Sequence, residues 1–172
     1  YRLVMDFDGQ QSEQNIIVQT DPRISVDKQN IEDVYNTSKK LETYMDTATN
    51  AVKQLAESKQ ILADYQKLFK SNKSDEMKSL LKEMKSQTQA IDSLISLFIG
   101  KVDKRQGIVR NPESNVMTRI GGAAGYIRSR QQGMTITEKT LLKHAKNELE
   151  TAVLKTNTFF NEIAQTCAVR FE

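Results

Sequence analysis
Three of the seven glycines in this 172-residue chain fall within five positions, in the stretch Arg119-Ile120-Gly121-Gly122-Ala123-Ala124-Gly125-Tyr126-Ile127-Arg128-Ser129-Arg130. Glycines flanked by arginines could cradle a phosphate. That chemistry needs a loop between a strand and a helix N-terminus, with backbone N–H groups left free, and one version adds a Lys-Ser/Thr pair. Neither feature is here. The glycines follow residues with a helical pattern, so their N–H groups are consumed inside a helix. Small residues at 121, 122, 124 and 125 predict instead a face that a neighbouring helix approaches closely, although each mid-helix glycine costs roughly 1 kcal/mol against alanine. Gly121, Gly122 and Gly125 are therefore expected to be helix-packing positions.

The remaining reactive residue types are sparse. His144 is the single histidine, which rules out a histidine-rich metal site built within this chain. It falls off the apolar seam of its helix and reads as a solvated surface residue. Cys167 is the single cysteine, so an internal disulfide and a cysteine-rich metal site are excluded. With no histidine near it in sequence, it reads as a buried or helix-end thiol rather than a nucleophile. Between positions 101 and 130 lie Lys101, Lys104, Arg105, Arg110, Arg119, Arg128 and Arg130, against only Asp103 and Glu113. These seven form a candidate basic interaction surface for an acidic partner. They lack the interleaved aromatics or module of a nucleic-acid binder. No catalytic residue, cofactor site or metal site is expected, and the partner is expected to be protein.

Composition points the same way. Twenty-five basic and 22 acidic residues leave a net charge of +3, the interspersed pattern of solvated helix faces rather than of a nucleic-acid surface. No apolar run is long enough to span a bilayer. Only two prolines, seven glycines and no tryptophan favour long uninterrupted helices. The length is that of one ordinary domain, or of a main body with a small appendage. The chain opens on Tyr1 within a strand-like run and without an initiator methionine, as expected of a piece of something longer or a processed product.

The elements that must position these residues follow from periodicity. Tyr1-Arg2-Leu3-Val4-Met5-Asp6-Phe7 and Ser12-Glu13-Gln14-Asn15-Ile16-Ile17-Val18-Gln19 are β-rich runs around Asp8-Gly9, which predicts a hairpin. A lone hairpin is marginal in water, so it is expected to complete a β-domain or to lie on the helices. From about Asp27, apolar residues such as Leu41, Met45, Ala48, Val52, Leu55 and Leu62 recur at alternating spacings of three and four, predicting a helix over 27–70. Ser74 followed by Asp75 and Glu76 predicts the start of a second helix, over 75–100. Asn111-Pro112 predicts a third, over 112–130. Thr135-Ile136-Thr137-Glu138 is a capping box for a fourth, over 136–168, with Leu142, Ala145, Leu149, Ala152, Thr156, Phe159 and Ile163 along its seam. The expected fold is mainly α: an antiparallel up-down-up-down four-helix bundle with one long helix, over residues 25–172, preceded by a β-hairpin over 1–24. Self-assembly of the long seam into an intermolecular coiled coil is the weaker alternative.

One resemblance spans nearly the whole chain. The run "DFDGQQSEQNIIVQTDPRISVD", with its Asp21-Pro22-Arg23 junction feeding a long helix, and the later "GIVRNPESNVMTRIGGAAGYI" and "NTFFNEI" resemble the C-terminal helical region of secreted bacterial proteins built around sortilin-like (BNR-repeat) β-propellers. Those proteins are common in Bacteroidetes and often labelled glycosyl hydrolases. The resemblance implies an extracytoplasmic location and an accessory role beside a β-domain, with any active site in the propeller and none of its residues in this chain. Two functional expectations follow. One is a non-catalytic structural or protein-interaction module of a larger exported protein, partnered by its own upstream β-domain or another subunit. The other is the accessory C-terminal part of a secreted glycosidase-like enzyme.

Overall fold
In the computed structural model the chain forms two strands, β1 (Arg2–Phe7) and β2 (Gln10–Asn15), followed by four helices, α1 (Lys28–Phe69), α2 (Asp75–Ile99), α3 (Val116–Arg128) and α4 (Ile136–Arg170). Residues 1–19, 21–23, 25, 27–71, 74–101, 114–130 and 132–170 are described, with side chains as far as residue 165. The strands pair antiparallel, Arg2 opposite Asn15 through Phe7 opposite Gln10. Asp8 and Gly9 make the turn with φ of 50° and 75°, the pair of positive values that a two-residue hairpin of primed type requires and that Asp-Gly supplies.

Each described helix start has a local cause. The Asp27 carboxylate accepts the Gln29 N–H at 3.0 Å to open α1. Ser74 Oγ accepts the Met77 N–H at 3.3 Å to open α2, with Asp75 and Glu76 at the positive end of the helix dipole, as the sequence predicts. Gly100, at φ 79°, ends that helix and returns its N–H to the Ser96 carbonyl at 2.9 Å. The start of α3 differs from expectation. Asn111 and Pro112 lie outside the described residues, and the described helix opens instead at Val116. There Asn115 Oδ1 accepts the Thr118 N–H at 3.0 Å while Thr118 Oγ1 accepts the Asn115 N–H at 2.9 Å. This reciprocal pair satisfies two backbone donors at once, which fixes the first turn at that point.

The bundle of four helices behind a hairpin is as expected; cross-helix contacts give the sense of each helix. Lys59 Nζ meets Asp92 Oδ1 at 2.5 Å and Gln66 Nε2 donates to Thr88 Oγ1 at 3.3 Å, so α2 runs antiparallel to α1. The pairs Arg119–Glu148 and Arg130–Glu138 make α3 antiparallel to α4. Gly133 sits against Asn30 near the start of α1, and Phe159 shares a groove with Leu62 near its end, so α4 runs parallel to α1. It follows that α3 repeats the sense of α2 rather than reversing it, a departure from strict up-down-up-down order. Length explains why. At about 1.5 Å per residue α1 is about 63 Å long and α2 only about 38 Å, so α2 covers the C-terminal part of α1 and leaves its N-terminal part to α3, about 20 Å long.

The seams predicted from spacing are the core. Leu41, Ala48 and Leu55 of α1, Ile91 and Phe98 of α2, and Ala145, Leu149 and Ala152 of α4 are buried together with Val116, Ile120, Ala123 and Ile127 of α3. The polar seam positions are accommodated at the edges of this core. Lys59 leaves it for its ion pair with Asp92, and Thr156, buried, donates its hydroxyl to the Ala152 carbonyl at 2.9 Å. Neither strand of the hairpin packs on a helix.

Candidate interaction surfaces
The glycine cluster is helical, as its pattern predicts, but it does not pack. Ile120, Ala123 and Ile127 turn inward, which forces Gly121, Gly122 and Gly125 to the exposed side of α3. A Cβ placed on any of the three meets nothing within 4 Å. The expectation that they admit a neighbouring helix is therefore overturned. The small residues that line helix contacts are alanines, Ala48, Ala123, Ala145 and Ala152, all buried. The helical phase set by Ile120 and Ile127 could have shown this in sequence, because residues 121, 122 and 125 fall on the far side of that seam.

The candidate basic surface is also rearranged. Arg128 Nη2 donates to Glu42 Oε1 at 3.1 Å, tying α3 to α1. Arg119 faces the Glu148 carboxylate on α4, and Arg130 Nε donates to Glu138 Oε1 at 2.7 Å. Three of the seven cations are thus paired across helix boundaries. Lys101 is exposed just beyond α2, and Lys104, Arg105 and Arg110 lie outside the described residues. His144 is exposed on α4, beside an open depression of about 390 Å³ that it lines with Arg119, Asn147, Glu148 and Thr151. Cys167 lies within α4, and its side chain is outside those described. Among the described residues no three His, Cys, Asp or Glu side chains are grouped to hold a metal ion, and no helix is long and apolar enough to cross a membrane.

Two surfaces that the sequence reading did not single out as sites carry uncovered apolar groups. The first is a groove of about 470 Å³ between α1, α2 and the C-terminal part of α4, lined by Ile61, Leu62, Tyr65, Leu80, Met84 and Phe159 among others. It opens where α3 does not reach. Its sequence signal is the second apolar stripe Ile61, Tyr65 and Leu68, off the main seam of α1 and exposed.

The second surface is the hairpin. Successive side chains of a strand point to opposite faces, so Tyr1, Leu3, Met5 and Phe7 form one row, joined by Ile16, which pairs with Tyr1 through two 2.8 Å backbone hydrogen bonds. All five are exposed, Phe7 to 78% and Tyr1 to 90%. The opposite face is polar apart from Val4, with Arg2 Nη1 3.4 Å from Glu13 Oε1 and Gln11 Nε2 donating to Asp6 at 2.9 Å. Between hairpin and helices, the Asp21 carboxylate takes the Arg23 Nε and Nη2 at 3.0 and 2.7 Å and the Arg23 backbone N–H at 2.9 Å. The guanidinium holds the Asp21 carboxyl below its ordinary value, with the backbone donor adding to the effect. Comparison with protein-family models, with curated proteins and with solved structures returns no match.

Proposed function
We propose that this chain is a non-catalytic structural or protein-interaction module of a larger exported protein, in which the hairpin attaches a helical bundle to a β-domain. One observation carries the reading. The helices close a core of their own, whereas the hairpin leaves five apolar side chains of one face uncovered and packs on none of the helices. A two-stranded sheet is marginal by itself, and an apolar face of this kind belongs against another layer. The resemblance of the hairpin and the Asp21-Pro22-Arg23 junction to the tail of secreted propeller proteins supplies the exported setting. It also favours a second reading, in which the chain is the accessory end of a glycosidase-like enzyme whose active site lies in the propeller.

The test is partner binding and hydrolytic activity in the parent protein with and without residues 25–172. The module reading expects partner binding to fall on deletion while this chain alone hydrolyses nothing. Glycosidase activity retained by this chain alone would sink both readings. Activity confined to the rest of the parent, with partner binding unchanged by the deletion, would favour the enzyme-accessory reading over the interaction module.

A further inference from the structure
The two strands of the hairpin are unlike. β1 reads Arg-Leu-Val-Met-Asp-Phe, with the apolar row Leu3, Met5 and Phe7 on one face and Val4 between Arg2 and Asp6 on the other. β2 reads Gln-Gln-Ser-Glu-Gln-Asn and has no apolar side chain at all. A strand with a full apolar row and a valine on its other face suits a more interior place in a sheet than a strand with none. A strand of amides and a carboxylate suits an outer edge, where polar side chains discourage further pairing.

The hydrogen-bond register says which backbone groups remain to be used. Tyr1 and Ile16 exchange both of their bonds, and in an antiparallel pair such exchanges recur at every second residue. Leu3, Met5 and Phe7 therefore bond inward to Gln14, Ser12 and Gln10, while Arg2, Val4 and Asp6 turn N–H and C=O out along the free side of β1. On the free side of β2 the corresponding residues are Gln11, Glu13 and Asn15. Val4 and Glu13 stand directly opposite each other, so each is the matched control for the other.

We infer that the free side of β1 receives a strand of the adjoining β-domain, and that β2 is the outer edge of the completed sheet. This rests on the reading that the hairpin attaches to such a domain. The incoming strand must be apolar at the alternate positions that extend the Leu3, Met5 and Phe7 row. On its other face it carries an acidic residue beside Arg2 and a basic one beside Asp6, because like charges on neighbouring strands are unfavourable and opposite ones favourable. The backbone donors and acceptors of Arg2, Val4 and Asp6 supply the pairing, and the side chains supply its register.

Proline tests the assignment, since it removes a backbone donor and is tolerated in a sheet only where that donor faces solvent. In the parent protein, Val4→Pro is expected to reduce amide-exchange protection across Leu3–Phe7 on the order of tenfold or more, the effect of losing at least one hydrogen bond. Glu13→Pro is expected to leave that protection within about twofold of the parent. Val4→Thr keeps the donor and nearly the shape, and is expected to resemble the parent, which separates loss of the bond from loss of the side chain. If Glu13→Pro is the damaging change and Val4→Pro is silent, the edges are assigned the wrong way round, although attachment itself stands. If neither matters, the hairpin is not attached and the proposed function fails with this inference. If this chain dimerises and Val4→Pro dissolves the dimer, a second copy occupies the edge and the inference is overturned.

Discussion

The carboxylate of Glu138 joins α4 to the residue that leaves α3: one oxygen accepts Arg130 Nε at 2.7 Å, and the other accepts the Thr135 backbone N–H at 2.7 Å together with the Thr135 hydroxyl. Its side chain is only 2% exposed. The Thr135 hydroxyl, then the Thr135 N–H and Arg130, hold its pKa down to about 2 against an ordinary 4.5, despite the burial that opposes them. A carboxyl whose folded value is depressed contributes stability that is complete above the unfolded value and disappears as the folded value is passed.

Glu138→Gln is therefore expected to lower the melting temperature by several degrees at neutral pH. The gap between parent and variant should close as pH falls from about 4.5 towards 2. Thermal melts followed by circular dichroism across that range check this. A gap independent of pH would mean that the carboxylate charge is not what holds the turn.

Replacing Gly121, Gly122 or Gly125 with alanine is expected to stabilise the chain by roughly 0.5–1 kcal/mol each. The reason is space: a Cβ at any of the three meets no atom within 4 Å, and all three lie within α3. Urea unfolding of the single variants measures it. Destabilisation would restore the packing role that their exposure argues against.

Ala123 behaves in the opposite way. It is fully buried in α3, in one core with Ala48, Ala145 and Ala152, and its short side chain is what lets the helices close on each other. Ala123→Leu is expected to cost about 1–3 kcal/mol through overpacking. The same urea experiment reads it beside Gly122→Ala, and the two changes, one residue apart, should move the midpoint in opposite directions.

These two positions also show what the sequence carried and where it stopped. Alternating spacings of three and four placed Leu41, Ala48, Leu55, Ala145, Leu149 and Ala152 in the core because burial of one stripe is a local property of a helix. Asp8-Gly9, Ser74 and Thr135–Glu138 marked the turn and two helix starts because each is decided by a few neighbouring atoms. The expected start at Asn111-Pro112 lies outside the described residues, and the described start is decided by Asn115 and Thr118 in the same local way. What was not legible was relative placement. That α3 continues along α1 where α2 stops depends on helix lengths and on contacts such as Arg128 with Glu42, 86 residues apart. The pairing of Arg119, Arg128 and Arg130 was likewise not legible, because partners on other helices are invisible to a linear reading.

Gly133 supplies the contrast to the glycines of α3. It lies between α3 and α4 with φ of 90°, in a region that side chains rarely enter, and a Cβ there would stand 2.6 Å from Asn30 Oδ1 and 3.3 Å from Asn30 Cβ. Both the backbone angle and the space therefore require glycine. Gly133→Ala is expected to destabilise the chain by more than about 1 kcal/mol. Pairing it with Asn30→Ala, which removes the oxygen but leaves the Asn30 Cβ and the φ of Gly133 unchanged, should recover only part of the loss. Chemical unfolding of the two single variants and the double variant separates the parts. Full recovery in the double variant would assign the whole effect to the clash, and no recovery would assign it to the backbone angle.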